Sequence, residues 1–441
     1  MKKPNLTLQQ KLAKRTYKKP NSLYNWFYHL IMADIELSKH NAEIIYKDDI
    51  KKEKGPCFII WNHLSRLDHA YVSKATYPRK FSMVAAYNEF FRSHLATVFK
   101  MMHILPKKNF CVDMMGMKAI LSIINQGGWV SMAPEGLATV SSYNERILPG
   151  IGSLLKHCKV PVYCFKFQGQ SLAAPVFSPY YRNGGKTLVT VYKLFTEEQI
   201  KLLSASELEE KIQNAFSNDD SDWQKQNRFK WNTLGKGCEN MHEVCYKCPD
   251  CGKEFTMIGK GDEIKCSECG FTIRMNEYLE YEPNRKPAIY MPEHLSDWVL
   301  WQRKFIIKEI RENPNYSFTK HLKIGNIPTD HLVKSREISS EVVGEGDFTI
   351  DHSGIHFVGT RNGNPYSFDL SYKNYYRLIE NINTRNFCLY IDDEYFDFIP
   401  EAPVVIKMDL IVQEMHRLHF NIWKPLKEHE YLYKDYPKLP D

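Results

Sequence analysis

A histidine and an aspartate five positions apart are the residues of this sequence best suited to chemistry. His63 and Asp68 belong to the segment Asn62-His63-Leu64-Ser65-Arg66-Leu67-Asp68, which directly follows an apolar run. A carboxylate at this distance can accept a hydrogen bond from one imidazole nitrogen across a strand-to-helix turn, which fixes the tautomer. The other nitrogen can then remove a proton from a substrate hydroxyl. The pair therefore predicts general-base chemistry that needs no serine or cysteine nucleophile.

Spacing alone does not select this pair, because the chain has 16 histidines and His29 has the same spacing to Asp34. His29 falls on a predicted amphipathic helix, whereas His63 lies where an apolar strand ends, which is where ligands bind in open α/β sheets. We interpret the other pair as accidental. The alternative for His63 is a buried structural histidine. The alternative for Asp68 is an acid at the start of a helix, a role that is compatible with catalysis. Ser65 is interpreted as a helix N-cap, and His69 as a structural residue that points elsewhere.

Two matching cysteine knuckles form the second chemical motif. Each has two thiolates on a tight turn followed by glycine, and the four cysteines are Cys248, Cys251, Cys266 and Cys269. The arrangement resembles a zinc ribbon. Four protein ligands leave no open position, so the predicted zinc is structural, as a folding staple or a platform for a partner. Cys238 and Cys245 are left unliganded, and the absence of a basic stripe predicts no nucleic-acid partner.

Alternating strands and helices must position the first motif. Four apolar runs are typical of strands, and they begin near Cys57, Val130, Val160 and Leu188. Helices are expected between the first two, around 70–74, 88–101 and 115–124, with the last ending at Gly127-Gly128. This alternation predicts an α/β fold with a mostly parallel sheet flanked by helices. The polar stretch 217–222 is interpreted as a boundary.

The last part of the chain changes character. A helix is predicted over 296–312 with Ser296 as N-cap, and a meander of hairpins follows from Asp347 to Ile399. A final helix, with Pro403 at its start, carries apolar residues at helical spacing. A β-meander followed by one C-terminal helix resembles the pleckstrin-homology or GRAM-like module.

Four ordered motifs between about residues 40 and 200 resemble the lysophosphatidate and glycerol-phosphate acyltransferases. The segment 62–68 resembles the first block of that family, and Ile104-Leu105-Pro106-Lys107 lies where its acceptor-binding block does. Ala133-Pro134-Glu135-Gly136 resembles the third block, and Val160-Pro161-Val162 the fourth. The alternative for Glu135-Gly136 is a plain turn.

The third block departs from the family pattern, which continues Glu-Gly-Thr-Arg. Here Leu137-Ala138 follow Glu135-Gly136, so the arginine that helps to hold the acceptor's phosphate in the family is missing. The candidate substitutes are Arg66, Lys107, Lys108 and Arg146. Otherwise the acceptor is not a simple glycerol phosphate.

The resemblance implies direct acyl transfer from acyl-CoA or an acyl carrier protein to a lysophospholipid hydroxyl, in phospholipid biosynthesis or remodelling. His63 would deprotonate the hydroxyl, and backbone amides at the start of the following helix are candidate donors to the oxyanion. The alternative function is a non-catalytic lipid- or partner-binding protein that retains the acyltransferase fold. The missing arginine favours this alternative, whereas the intact His63/Asp68 pair favours the enzyme.

Charge placement predicts contact with a membrane. Residues 1–20 carry seven Lys and Arg residues and no acid, and an aromatic-rich apolar stretch follows from Leu23 to Met32. This order suits an anionic bilayer surface, while the alternative is a solvated tail followed by a core helix. No apolar run is long enough for a transmembrane helix and no signal peptide is recognised, so we expect a cytoplasmic protein bound peripherally to the inner membrane face.

The 441 residues divide into four expected parts. These are a membrane-contacting segment (1–40), an acyltransferase domain (41–215), a zinc ribbon (240–280), and a linker helix with the β domain (290–430).

Overall fold

The computed structural model describes residues 6–436 of the chain. These residues contain three sheets of four or more strands. The first is a mixed α/β sheet, the second a small cysteine-bearing sheet and the third an antiparallel sheet with a helix. Lys2 and Lys3 of the basic segment lie outside the described residues. Within residues 6–436, no helix combines the length and the apolar character needed to cross a bilayer.

Between residues 6 and 232, the structure has nine strands and ten α-helices. The strands are β1 (Ala42–Tyr46), β2 (Cys57–Trp61), β3 (Phe81–Ala86), β4 (Leu105–Lys107), β5 (Trp129–Met132), β6 (Val162–Gln168), β7 (Asn183–Gly184), β8 (Thr187–Phe195) and β9 (Trp231–Asn232). The helices are α1 (Leu8–Ala13), α2 (Ser22–Tyr28), α3 (Asp68–Thr76), α4 (Ser93–Met101), α5 (Met114–Asn125), α6 (Ile151–Cys158), α7 (Gln170–Ala173), α8 (Glu197–Leu202), α9 (Ala205–Phe216) and α10 (Asp220–Asn227). A π-helical segment, His29–Glu36, continues α2.

The main sheet has the order β1-β8-β6-β2-β5-β3-β4. Neighbouring strands from β6 to β4 are parallel, whereas β8 is antiparallel to β6 and parallel to β1. Every residue of the central strands β2 and β5 is buried, as expected for a parallel sheet covered by helices on both faces. This confirms the predicted fold class, but β1, β3 and β4 are strands that the sequence analysis did not predict.

The polar stretch 217–222 is folded and partly buried, with Asp220 and Ser221 buried and Ser217 and Asp222 exposed. Asp219 caps α10, and the fully buried Asp220 accepts hydrogen bonds from the backbone of Gly169 and Ser171. The Asp220 contacts tie the stretch to the end of β6. Both aspartates satisfy backbone amides that would otherwise be unpaired.

The cysteine-bearing sheet is an antiparallel meander of β10 (Met257–Lys260), β11 (Glu263–Cys266), β12 (Thr272–Met275) and β13 (Tyr281–Pro283). Helix α11 (Leu295–Glu312) follows it. Its N-cap is His294, whose ring accepts the amide of Asp297, so the predicted N-cap at Ser296 is wrong. Ser296 lies inside the first turn and is buried.

The third sheet and its helix form what we call the β-module, residues 317–419. The strands are β14 (Ser317–Asn326), β15 (Glu341–Asp351), β16 (Gly354–Arg361), β17 (Asn364–Leu370), β18 (Ile379–Glu380), β19 (Phe387–Ile391) and β20 (Glu394–Pro400), and the helix is α12 (Val405–His419). The order is β17-β16-β15-β14-β20-β19-β18, with all neighbours antiparallel. The predicted meander and C-terminal helix are therefore both present.

The β-module is joined to the N-terminal region by backbone and side-chain hydrogen bonds. Val333 exchanges backbone hydrogen bonds with Phe91 and Ser93, both at 2.8–2.9 Å, and the buried Arg92 guanidinium donates to the Ser339 hydroxyl at 2.9 Å. Lys108, next to β4, forms an ion pair with Asp393. These contacts bring the edge of the β-module that carries β18 to the carboxyl ends of β3 and β4.

Candidate active site

The turn between β2 and α3 positions the predicted catalytic pair. His63 follows the end of β2, and Asp68 is the first residue of α3. The Nδ1–H of His63 donates to Asp68 Oδ2 at 2.8 Å. Asp68 also accepts the backbone amides of Leu64 and Ser65, at 2.8 and 3.1 Å. The carboxylate is thus held by the turn and stabilised at a helix N-terminus.

Burial differs sharply between the two side chains. The Asp68 side chain is 2% exposed, whereas that of His63 is 26% exposed. Because Nδ1 carries the proton shared with Asp68, Nε2 is the basic nitrogen of the imidazole. His63 lines a cavity of about 440 Å³, which we call the catalytic cavity. The arrangement can remove a proton from a hydroxyl that enters this cavity.

Most of the catalytic cavity is apolar. Met83 and Val84 of β3, and Val98 and Phe99 of α4, line it together with Met132 at the end of β5. Such a lining suits a hydrocarbon chain more than a sugar or a peptide.

Ser65 and the amides near it have roles other than the predicted ones. Helix α3 has Leu67 at its N-cap position without a side-chain cap, so the interpretation of Ser65 as N-cap is wrong. The Ser65 hydroxyl instead donates to Asp68 Oδ1 at 2.9 Å and accepts the Leu67 amide. Because Leu64 and Ser65 donate their amides to Asp68, these two amides are not available to an oxyanion.

His69 lines the catalytic cavity, so the expectation that it points elsewhere is wrong. Its Nδ1 lies 2.6 Å from the hydroxyl of Tyr28, which also lines the cavity. Burial lowers the pKa of His69 to about 4. The ring is therefore neutral near neutral pH and joins α3 to α2.

The second His/Asp pair is formed but lies apart from the cavity. His29 Nε2 is 3.5 Å from Asp34 Oδ1, and its ring stacks on Tyr77 at 4.0 Å. Neither His29 nor Asp34 lines the catalytic cavity. Equal spacing in the sequence thus gives a similar contact in two places, and of these two pairs His63/Asp68 is the one that lines the catalytic cavity.

Glu135 and Gly136 occupy the turn after β5, close to His63. Gly136 lines the catalytic cavity with a positive φ of 78°, and its carbonyl accepts the Asn109 amide at 2.8 Å. Glu135 is fully buried, and its carboxyl accepts the Glu145 amide at 3.0 Å. Burial raises the pKa of Glu135 well above its usual range. The side chain therefore holds the loop that returns to Glu145.

The four candidate cations divide into two pairs. Arg66 and Lys107 line the catalytic cavity. Arg66 donates to the Ser178 carbonyl at 2.6 Å, and burial lowers the pKa of Lys107. Lys108 is paired with Asp393, and Arg146 donates to the Pro425 carbonyl at 3.3 Å. Neither Lys108 nor Arg146 lines the cavity.

Residues 379–382 of the β-module also line the catalytic cavity, and sequence reasoning did not include them in the site. They carry no motif, and they lie more than 300 positions from His63 in the sequence. No local signal in the sequence places them there.

The four knuckle cysteines come together at one point. Their sulfur atoms lie within 4.8 Å of one another, with Cys248 3.7 Å from Cys269 and Cys251 3.8 Å from Cys266. A zinc ion with four thiolates at about 2.3 Å would place them roughly 3.8 Å apart. The donor set therefore fits a zinc ion, which would hold the two knuckles together and have no open position for a substrate.

We expect about one zinc ion per purified chain by elemental analysis, because four thiolates bind a single ion. Cys266→Ser should lose the metal, since three thiolates and a hydroxyl bind zinc less tightly. Cys158→Ser, in α6 and away from the knuckles, is the matched control and should keep it. If the natively purified chain contains no zinc, the prediction of a zinc-binding ribbon is wrong.

Comparisons with known proteins agree with both motifs. Residues 37–167 match the family described as Acyltransferase, and residues 241–277 match a zinc-ribbon family described as DNA directed RNA polymerase, 7 kDa subunit. The search of curated proteins found no match. Among solved structures, the chain is similar to the 1-acyl-sn-glycerophosphate (LPA) acyltransferase PlsC from Thermotoga maritima. That similarity has 10% identity and a TM-score of 0.38, and it covers 46% of this chain and 79% of that chain. Residues 37–167, which include His63 and Asp68, are therefore similar to the acyltransferase family.

Proposed function

We propose that the chain is an O-acyltransferase that moves a fatty acyl group from acyl-CoA or an acyl carrier protein to the hydroxyl of a lysophospholipid. The observation that carries this proposal is His63, oriented by the buried Asp68 and partly exposed in a cavity of about 440 Å³ with a largely apolar lining. A base that is accessible from a cavity with an apolar lining is what transfer of an acyl chain to a hydroxyl requires.

In the proposed reaction, His63 Nε2 takes the proton of the acceptor hydroxyl as its oxygen attacks the thioester carbonyl carbon. Asp68 stabilises the imidazolium that forms. The tetrahedral intermediate then collapses, the carbon–sulfur bond breaks, and the thiolate takes the proton from the imidazolium. The products are the acylated acceptor and the free thiol.

Arg66 and Lys107 are the residues we propose for the acceptor's phosphate, in place of the arginine missing after Glu135-Gly136. Both line the catalytic cavity, and guanidinium and ammonium groups bind phosphate oxygens. Arg146 and Lys108 are not proposed for this role, because neither side chain lines the catalytic cavity.

The test is a panel of lysophospholipids incubated with palmitoyl-CoA, with free CoA and diacyl product measured by chromatography. We expect CoA release that depends on a lysophospholipid and is strongest for one headgroup class. Binding of acyl-CoA without release, across the whole panel, would favour the alternative of a non-catalytic lipid-binding protein that retains the fold.

We also propose that the π-helical segment and α2 contact an anionic membrane. Their outward side chains are strongly exposed for apolar residues, with Leu23 at 65%, Phe27 at 55% and Ile35 at 56%. Tyr28 and Met32, on the same segments, line the catalytic cavity. An apolar face beside the cavity would let a lipid acceptor pass from the bilayer to His63.

Phe27→Glu is expected to weaken binding to phosphatidylglycerol-containing vesicles by about tenfold or more, because a phenyl ring is lost from the bilayer and an acid is added. Co-sedimentation measures the fraction of each variant that binds to the vesicles. Val358→Glu, on the exposed face of β16 at 69% exposure, makes a similar change elsewhere and should bind normally. Equal binding by both variants and the wild type would place the membrane contact elsewhere.

A further inference from the structure

The catalytic cavity is completed by a part of the chain that lies outside the acyltransferase match. The segment 379–382, which comprises β18 and the two residues after it, lines the cavity together with His63. The family match ends at residue 167. The β-module therefore supplies part of the surface that a substrate in this cavity would touch.

The segment has two apolar residues, Ile379 and Ile382, and two polar ones, Glu380 and Asn381, and all four line the cavity. Ile379 is buried in the same hydrophobic cluster as Met102 and Ile104, and Phe99 packs against that cluster. Ile382 is 44% exposed although it also lines the cavity. An exposed isoleucine at a cavity lined by apolar residues is available to contact a hydrocarbon chain.

Buried ion pairs fix the segment in place. Arg377 donates to both carboxylate oxygens of Glu380 at 3.0 Å and to Asp409 at 3.1 Å. Its other terminal nitrogen donates to Glu145 at 3.1 Å, and the Glu145 amide is held by Glu135. The segment is therefore tied to the same loop that carries Gly136 into the cavity.

We propose that Ile379 and Ile382 contact the acyl chain of the thioester and set the chain lengths that the enzyme accepts. This inference rests on the proposed acyl transfer. An apolar surface held rigidly by Arg377 can exclude a chain that is too long, because packed side chains tolerate little extra volume. The β-module is thereby a specificity element of the active site.

The test replaces Ile382 with a larger and with a smaller residue. Ile382→Trp should lower kcat/KM for palmitoyl-CoA relative to octanoyl-CoA by about tenfold, since one or two methylene groups in an apolar pocket carry discrimination of that size. Ile382→Ala should shift the profile towards longer chains. Both changes are on a partly exposed side chain, so the core of the β-module is kept. Val358→Trp, exposed and outside the cavity, is the control and should have the wild-type profile.

A binding measurement decides the inference without turnover. Calorimetry should show that Ile382→Trp weakens the binding of palmitoyl-CoA but not of octanoyl-CoA, whereas Val358→Trp binds both as the wild type does. Unchanged profiles and affinities in Ile382→Trp would overturn the role of the segment even if the wild type transfers acyl groups. If the wild type and the variants bind the two acyl-CoA molecules as predicted but the wild type never releases CoA, only the proposed reaction is contradicted. A wild type that binds no acyl-CoA would overturn both.

Discussion

His63→Ala is expected to lower kcat for acyl transfer by about 10²–10⁴-fold, because it removes the proposed general base for the acceptor hydroxyl. The contribution is large because Asp68, 2.8 Å from Nδ1, holds the ring in the tautomer that leaves Nε2 basic. The measurement is steady-state CoA release with saturating palmitoyl-CoA and the best lysophospholipid of the panel. Because the His63 side chain is only partly buried, the loss of the ring should not unfold the protein.

The control for this variant is His29→Ala. His29 forms the second His/Asp contact, at 3.5 Å from Asp34, but does not line the catalytic cavity. His29→Ala should therefore retain kcat within a few-fold of the wild type. If His63→Ala kept the wild-type rate, or if both variants lost it equally, His63 would not be the base.

Arg377→Met is expected to lower the free energy of unfolding by about 3–5 kcal/mol, because it leaves buried carboxylates without their cation. The side chains of Arg377, Glu380 and Asp409 are 2%, 5% and 3% exposed. Burial raises the pKa of Glu380 well above its usual range, and the Arg377 guanidinium opposes this rise. Urea unfolding followed by circular dichroism measures the change as a lower midpoint.

Lys323→Met is the matched control in the same sheet. Lys323 and Glu401 form a pair at 3.5 Å with side chains 47% and 84% exposed, and exposed pairs contribute only about 0–1 kcal/mol. The double variant Arg377→Met/Glu380→Gln should recover part of the stability, since it also removes one stranded acid. A wild-type unfolding midpoint for Arg377→Met would show that the buried ion pairs do not hold the β-module.

Local chemistry made part of this structure predictable from the sequence. The run Cys57–Trp61 is apolar at every position, as a strand covered on both faces must be. His63 could be placed at the end of that strand for the same reason. The cysteine knuckles were predictable because a tetrahedral metal site constrains spacing directly.

Strands β3 and β4 were not predictable in the same way. The sequence of β3, Phe81–Ala86, has only one β-branched residue and three small ones, so its intrinsic preference for a strand is weak. It is a strand because β5 and β4 pair with it on both sides. Strand β4 has three residues and contains Pro106, which gives no recognisable alternation.

The part of the site that the β-module supplies could not be predicted from the sequence for a different reason. Arg377 is an ordinary arginine in the sequence, and its role appears only when Glu145 and Asp409 are brought to it from distant parts of the chain. In the same way, Arg66 and Arg146 were equivalent candidates in the sequence. The fold separates them, because only Arg66 faces the catalytic cavity.

The position of the 379–382 segment has a consequence for synthesis of the chain on the ribosome. The strands from β6 to β4 can pair when β6 emerges, but the residues that close the cavity are made on the order of 200 codons later. At about 5–20 residues per second, the interval is roughly 10–40 s. During that time the apolar lining at Phe99 and Met102 lacks its neighbour Ile379. This part of the apolar lining therefore stays exposed to solvent in the nascent chain until β18 has been made.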